Sequence, residues 1–365
     1  MGGSAGWVGG AGLLLLAGCG LPDVDLEGAH VRLAMESGLT PCGDATGHMD
    51  RFVELVAAEL GVSPPTGDDR VVYYWLHAGD FAARNLCSEG AAGCADSDTI
   101  YANSFPIDHE LVHSLTARFG SMPLFFAEGL AVAYQLPAPG YEDDAALADI
   151  SIAEAIEARE GTHLEYDLYA LAGAFVAFLI EREGVDAAVG AISEMGWLNS
   201  SSAVSDVLAA ELGASLDELA AEFEATRRRC SPSGYRRKLF ECSAPEIAWD
   251  GALWAGHRTM DCDMDDVIGP FASDTLASYR TITVPADAMY ELTVIGDSAP
   301  GSGQSANAVT LLRCGGCDGH IEETISAGEA SVRLPLTAGR YSLRFTGPVG
   351  AASGVGLRVE RVEAP

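Results

Sequence analysis

The sequence predicts an α+β protein: a mainly helical domain with a small N-terminal β-sheet, followed by an antiparallel β-sandwich. Three observations carry that expectation. Apolar residues recur at helical spacing through most of the stretch from Pro106 to Arg229. Short β-rich runs precede that stretch. After about Trp254 the period changes to two, and Gly, Pro and Ser punctuate the runs at intervals typical of a sandwich.

The first element is a leader. Residues 7–18 form an uncharged, mostly apolar run, shorter than the roughly 20 residues a membrane-spanning helix needs but of the length of a signal-peptide core. Leu16-Ala17-Gly18-Cys19 comes next and resembles the lipobox of bacterial lipoproteins, although no basic residue lies between Met1 and Cys19. The resemblance implies that residues 1–18 are a signal peptide and that Cys19 is lipidated. Residues 19–28 then read as a tether, and the protein as exported and lipid-anchored to the bacterial cell envelope. An ordinary secretory signal is the alternative.

Within residues 29–229, His30–Glu36 reads as a strand. Met49, Phe52, Val53, Val56 and Leu60 share a helical face that Gly61 is placed to stop. Val71–Leu76 is β-rich, and Thr99–Asn103 is a short strand. Ser215 and Glu218 form a capping box ahead of Leu216, Leu219, Ala220 and Phe223. Residues 230–250 read as a connector, and residues 251–363 as a separate sandwich. There Tyr290/Leu292/Val294, Val332/Leu334/Leu336, Tyr341/Leu343/Phe345 and Val355/Leu357/Val359 alternate inward. Arg227, Arg228, Arg229, Arg236, Arg237 and Lys238 are read as cations complementing a helix C-terminus, with a docking patch as the alternative.

The chain has 365 residues, of which 48% are hydrophobic, enough for a sizeable core, and a net charge of -32. That charge argues against nucleic acid and against a polybasic membrane-surface mode, because both depend on clustered cations. Eight cysteines remain after Cys19, an even number that suggests disulfides in an exported protein. Cys42, Cys87 and Cys94 precede Arg229 and five come after it, so full pairing requires a bridge between the two regions. Cys87 is close enough in sequence to pair with Cys94. Cys42 is expected to pair with Cys230 or Cys242, and Cys314 with Cys317. His30, His48, His77, His163, His257 and His320 read as surface or loop histidines. Asp261, Asp263, Asp265 and Asp266 read as a solvated loop, since Asp266 and Ala272 break the pattern of an EF-hand.

The chemistry concentrates at His109-Glu110-Leu111-Val112-His113. Residues four apart share a helix face, so both imidazoles can reach one metal ion while Glu110 addresses a water beside it. Such a pentapeptide arises by chance about once in a hundred chains of this composition, so its surroundings must decide. Glu128 stands within the apolar run Pro123–Ala131, where an unpaired carboxylate is costly and a metal is a fitting partner.

HELVH followed by FFAEGLA resembles the short-spaced gluzincin metallopeptidases of the peptidase-MA type. Tyr169–Phe175 resembles the next helix of that family, and residues 203–224 its closing helical pair. The resemblance covers about residues 30–228. It implies a gluzincin-like catalytic domain with His109, His113 and Glu128 as zinc ligands, a fourth position for water, and Glu110 as general base. Tyr169 is the candidate for stabilising the oxyanion, with helix packing as its other reading. Thr99–Asn103 would be the edge strand on which an extended peptide substrate pairs. Many larger gluzincins place an Asp four residues after the ligand Glu to orient a His ligand; here that position is Val132. The function expected is an exported Zn2+-dependent metallopeptidase. The alternative is a catalytically inactive, surface-anchored binding lipoprotein on the same scaffold.

Overall fold

The computed structural model describes residues 20–88, 90–136, 150–158, 164–196, 200–227, 232–249, 251–271, 274–297, 307–316, 321–350 and 352–362. Cys19 and the leader lie outside the described residues. The fold is α+β, with a β-sandwich-like C-terminal part.

The N-terminal sheet comprises β1 (Val24–Glu27), β2 (Val31–Met35), β3 (Val71–Trp75), β4 (Gly93–Asp96) and β5 (Thr99–Ala102), in the order β1-β2-β3-β5-β4. Strands β2, β3 and β5 run parallel, and the two edges are antiparallel to their neighbours. The central strand β3 is all β-branched and aromatic, Val-Val-Tyr-Tyr-Trp, as suits a pleated strand between two others. Between the strands, α1 (Ala45–Glu59) buries Met49, Phe52, Val53 and Val56. Asp44 caps it, accepting from the Gly47 amide at 2.9 Å. The short α2 (Ala78–Arg84) comes after β3.

The helical part contains α3 (Asp108–Thr116), α4 (Leu124–Tyr134), α5 (Ile152–Glu157), α6 (Tyr169–Glu183), α7 (Val185–Ser193), α8 (Ser201–Leu212), α9 (Leu216–Arg227), α10 (Pro232–Tyr235) and α11 (Leu239–Cys242). The expected capping box is present: the Ser215 hydroxyl lies 2.8 Å from the Glu218 carboxylate, which also accepts from the Ser215 amide. Helices α4 and α6 approach closely because each offers a glycine to the other. A Cβ on Gly129 would stand 2.6 Å from Val176, and one on Gly173 would stand 2.3 Å from Val132. Val132 therefore serves helix packing.

The sandwich is built from β6 (Leu253–Met260), β7 (Ile268–Phe271), β8 (Thr275–Val284), β9 (Ala288–Gly296), β10 (Ala308–Arg313), β11 (Glu322–Ser326), β12 (Val332–Leu336), β13 (Gly339–Pro348) and β14 (Ser353–Val362). Its sheets have the orders β11-β10-β13-β8-β7 and β12-β9-β14-β6. Tyr290, Leu292, Val294, Tyr341, Leu343, Phe345, Val355, Leu357 and Val359 fill the space between them.

Several expectations need correction. The tether reading fails for residues 24–27, which pair with β2 as an edge strand. Thr99–Asn103 is not an edge: β4 folds back antiparallel and covers β5. The connector is folded, because α10 and α11 pack and residues 245–247 bond to Thr281 of β8. The sandwich is not separate, since Ile268, Phe271, Ala277 and Tyr279 share the apolar core of the helical part.

The disulfides reflect that packing. Cys42 pairs with Cys262, not with Cys230 or Cys242, because the chain entering α1 lies against the loop after β6: the Cys42 amide donates to the Gly269 carbonyl and the Gly43 amide to the Cys262 carbonyl. Cys242 pairs with Cys314, which overturns the expected Cys314–Cys317 bridge, because α11 sits at the end of β10. Cys87–Cys94 is as expected. Cys230 and Cys317 lie outside the described residues.

His30 and His48 are buried, contrary to the surface reading. His30 lies 2.7 Å from the Pro65 carbonyl, and His48 lies 3.1 Å from the Asp108 carboxylate. Asp266 is ion-paired with Arg258 and Arg280 rather than merely solvated.

Candidate metal centre

Asp108 opens α3, and three anchors fix its first turn. The buried Asp108 carboxylate meets His48 of α1. The Tyr73 hydroxyl donates to the Ser104 carbonyl at 3.0 Å and accepts from the Ile107 amide at 3.2 Å. The apolar side of the helix, Leu111, Val112 and Leu115, enters the core. The opposite face carries His109 and His113, both partly exposed.

Glu128 reaches that face from α4. Its Oε2 lies 3.0 Å from His109 Nε2 and 3.2 Å from His113 Nε2, and the two Nε2 atoms are 3.1 Å apart. A tetrahedral ion with bonds of about 2.0–2.1 Å spaces its ligand atoms by about 3.3 Å, so the donor set fits a zinc-sized cation. Among the described residues, this is the one group of three such side chains whose ligand atoms converge. All three are partly exposed, at 13%, 21% and 13% for His109, His113 and Glu128, so the site opens onto solvent.

The charges are coupled. Burial would raise the Glu128 carboxyl, but the hydrogen bonds from His109 and His113 outweigh it and hold the group well below the usual carboxylate range. Burial would lower His109, but its hydrogen bond to Glu128 and the charge of Glu110 leave it raised. An array that holds protons this way without a metal will exchange them for a cation when one binds.

The partner that orients His109 is Gln135, whose Oε1 lies 2.9 Å from His109 Nδ1. An Nδ1–H donated to that amide oxygen leaves the Nε2 lone pair for a metal. Gln135 stands just past the end of α4, seven residues beyond Glu128. The one sequence signal for it was a polar side chain in the apolar run Ala131–Leu136.

Glu110 is buried on the flank of α3 that faces β4. A Cβ on Gly93 would stand 3.2 Å from Glu110 Cγ, a tight contact where the edge strand passes this side chain. The Glu110 charge raises both His109 and the Tyr169 phenol. The Tyr169 ring lies 5.9 Å from the His109 ring at an interplanar angle of 25°. Burial first, then the Glu128 carboxylate, push its hydroxyl well above the ordinary phenol range. The structure thus brings together His109, Glu110, His113, Glu128 and Tyr169; Cys19 lies outside the described residues.

No family model matches the chain, and no curated protein matches it. Solved structures match parts of it. The pre-peptidase C-terminal domain of a collagenase from Bacillus anthracis is 12% identical over 32% of this chain and 95% of its own length, with a TM-score of 0.23. PliG of Aeromonas hydrophila, a periplasmic inhibitor of g-type lysozyme, is 14% identical over 32% of this chain and 94% of its own, with a TM-score of 0.20. Likenesses at these scores carry no argument about this chain.

Proposed function

We propose that this protein is an exported, zinc-dependent metallopeptidase, held at the bacterial cell envelope by a lipid on Cys19. One observation carries the catalytic part: two imidazoles and a carboxylate converge at metal-ligand spacing, partly exposed to solvent, with the Tyr169 ring beside them. The anchor rests on the lipobox-like sequence alone.

When bound, zinc supplies Lewis acidity, which makes water nucleophilic near neutral pH and polarises a carbonyl. His109, His113 and Glu128 would hold it, with Gln135 fixing the His109 ring. Glu110 would accept the proton of the attacking water and return it to the leaving amine. The Tyr169 hydroxyl, protonated at every physiological pH, would donate a hydrogen bond to the developing oxyanion. An extended peptide would add to the free edge of β4, passing Gly93 and so Glu110.

Two variants test this reading. Glu110→Gln should keep zinc and lose peptide hydrolysis by about 10²–10⁴-fold. Glu128→Ala should lose zinc, with activity returning only in excess metal. Metal analysis beside a hydrolysis rate decides. If both variants keep zinc and full activity, the cleft is not catalytic and the inactive binding-lipoprotein reading replaces it.

A further inference from the structure

The rings of the site continue outward to solvent. Tyr169 stacks on His109, and Tyr166 lies 5.6 Å from Tyr169, centroid to centroid. Tyr166 is 67% exposed, the most exposed large apolar side chain among the described residues. It sits in a single 3-10 turn whose neighbours Glu165 and Asp167 are both exposed. An exposed aromatic one ring removed from His109 and bracketed by carboxylates is poorly suited to an apolar side chain, which would have to desolvate the acids. It is well suited to a cation, which is attracted by the ring face and by both charges.

The wider charge supports this. Among the described residues of the segment 85–180, nine are Asp or Glu and one, Arg118, is basic. Arg118 is turned to the Ser63 carbonyl, and Arg159 lies outside the described residues. Beside the rings themselves, the Glu128 and Glu110 carboxylates act on Tyr169, and negative charge gathered in one place concentrates cations.

We infer that the cleft selects peptides carrying a lysine or arginine close to the bond presented to the metal, with the cationic side chain lying on Tyr166 between Glu165 and Asp167. This rests on the metallopeptidase reading, which supplies the peptide as substrate, but binding can be read without turnover.

The test uses labelled peptides that contain Lys or Arg, and the same peptides with Gln in their place. Binding is measured by fluorescence anisotropy on the zinc-loaded full chain carrying Glu110→Gln. Kd for the basic peptides should be about tenfold or more tighter at low salt, with the advantage shrinking as salt rises. In the background of Tyr166→Ala with Glu165→Gln and Asp167→Asn the ratio should fall toward one, whereas Tyr166→Phe should preserve it. Retained zinc in each variant shows that the site has stayed folded. Equal Kd for basic and Gln peptides overturns the inference, as does a ratio that survives the triple change. If the Glu110-intact protein binds basic peptides selectively but cleaves none, the peptidase reading fails and the selectivity stands. If it cleaves both kinds alike with equal Kd, the selectivity fails and the peptidase stands.

Discussion

Gln135 Oε1 lies 2.9 Å from His109 Nδ1. The family resemblance points to an Asp at position 132 as the partner of this ring; Val132 stands there and packs against Gly173. The partner of the His109 ring is thus the residue that ends α4. At that point α4 and α6 close on each other through Val132 against Gly173 and Val176 against Gly129.

Gln135→Leu should therefore leave the fold intact and weaken zinc binding by about 10–100-fold, the usual cost of losing such a supporting bond. Competition against a chelator of known affinity measures it. Unchanged affinity would show that the imidazole is oriented by something else.

The metal and the proton compete with a definite sign. His109 is raised in the metal-free protein, so its contribution to stability is present below the unfolded value of about 6.5 and is lost as pH rises through the folded value. Glu128 is depressed, so its contribution is present above the unfolded value of about 4.3 and is lost as pH falls toward its folded value. The metal-free pair should contribute most between about pH 4.5 and 6.5. Zinc, which needs deprotonated His109, should raise Tm by more at pH 8 than at pH 5.5. Calorimetry with and without zinc measures this, and an equal rise at both pH values would contradict the His109 assignment.

A side chain at Gly93 should press on Glu110. Gly93→Val would drive β4 away from Glu110, because even a Cβ meets Glu110 Cγ and Ile107 at 3.2 Å and the Tyr101 carbonyl at 3.1 Å. Zinc content should be unaffected while hydrolysis falls on the order of tenfold or more, as small misplacements of a general base do. Loss of zinc in this variant would place Gly93 in metal support instead.

The bridge between Cys42 and Cys262 closes a sequence separation of 220 residues and joins the approach to α1 to the sandwich. Replacing both with Ser should cost about 2–4 kcal/mol. Because Tyr279 and Phe240 pack across the same boundary, with ring centroids 5.8 Å apart, the intact protein should melt in one transition. Two well-separated transitions in thermal unfolding would show that the helical part and the sandwich fold independently.

The sequence by itself determined the features that local periodicity and spacing can carry. The change from a 3.6- to a 2-residue pattern near Trp254 separates the helical part from the sandwich, because each period belongs to one kind of backbone. The spacing of His109 and His113 put both rings on one helix face, and the three cysteines between Cys19 and Arg229, if all pair, called for a bridge to the C-terminal region. Tertiary structure alone decided matters that depend on distant segments. Nothing local says that Cys42 meets Cys262, that β4 covers β5 and takes over the free edge, or that His48 is buried against Asp108. Gln135 belongs with these: a single polar residue after a helix carries no periodic signal, and its role exists only because α3 and α4 pack with the His109 ring against the end of α4.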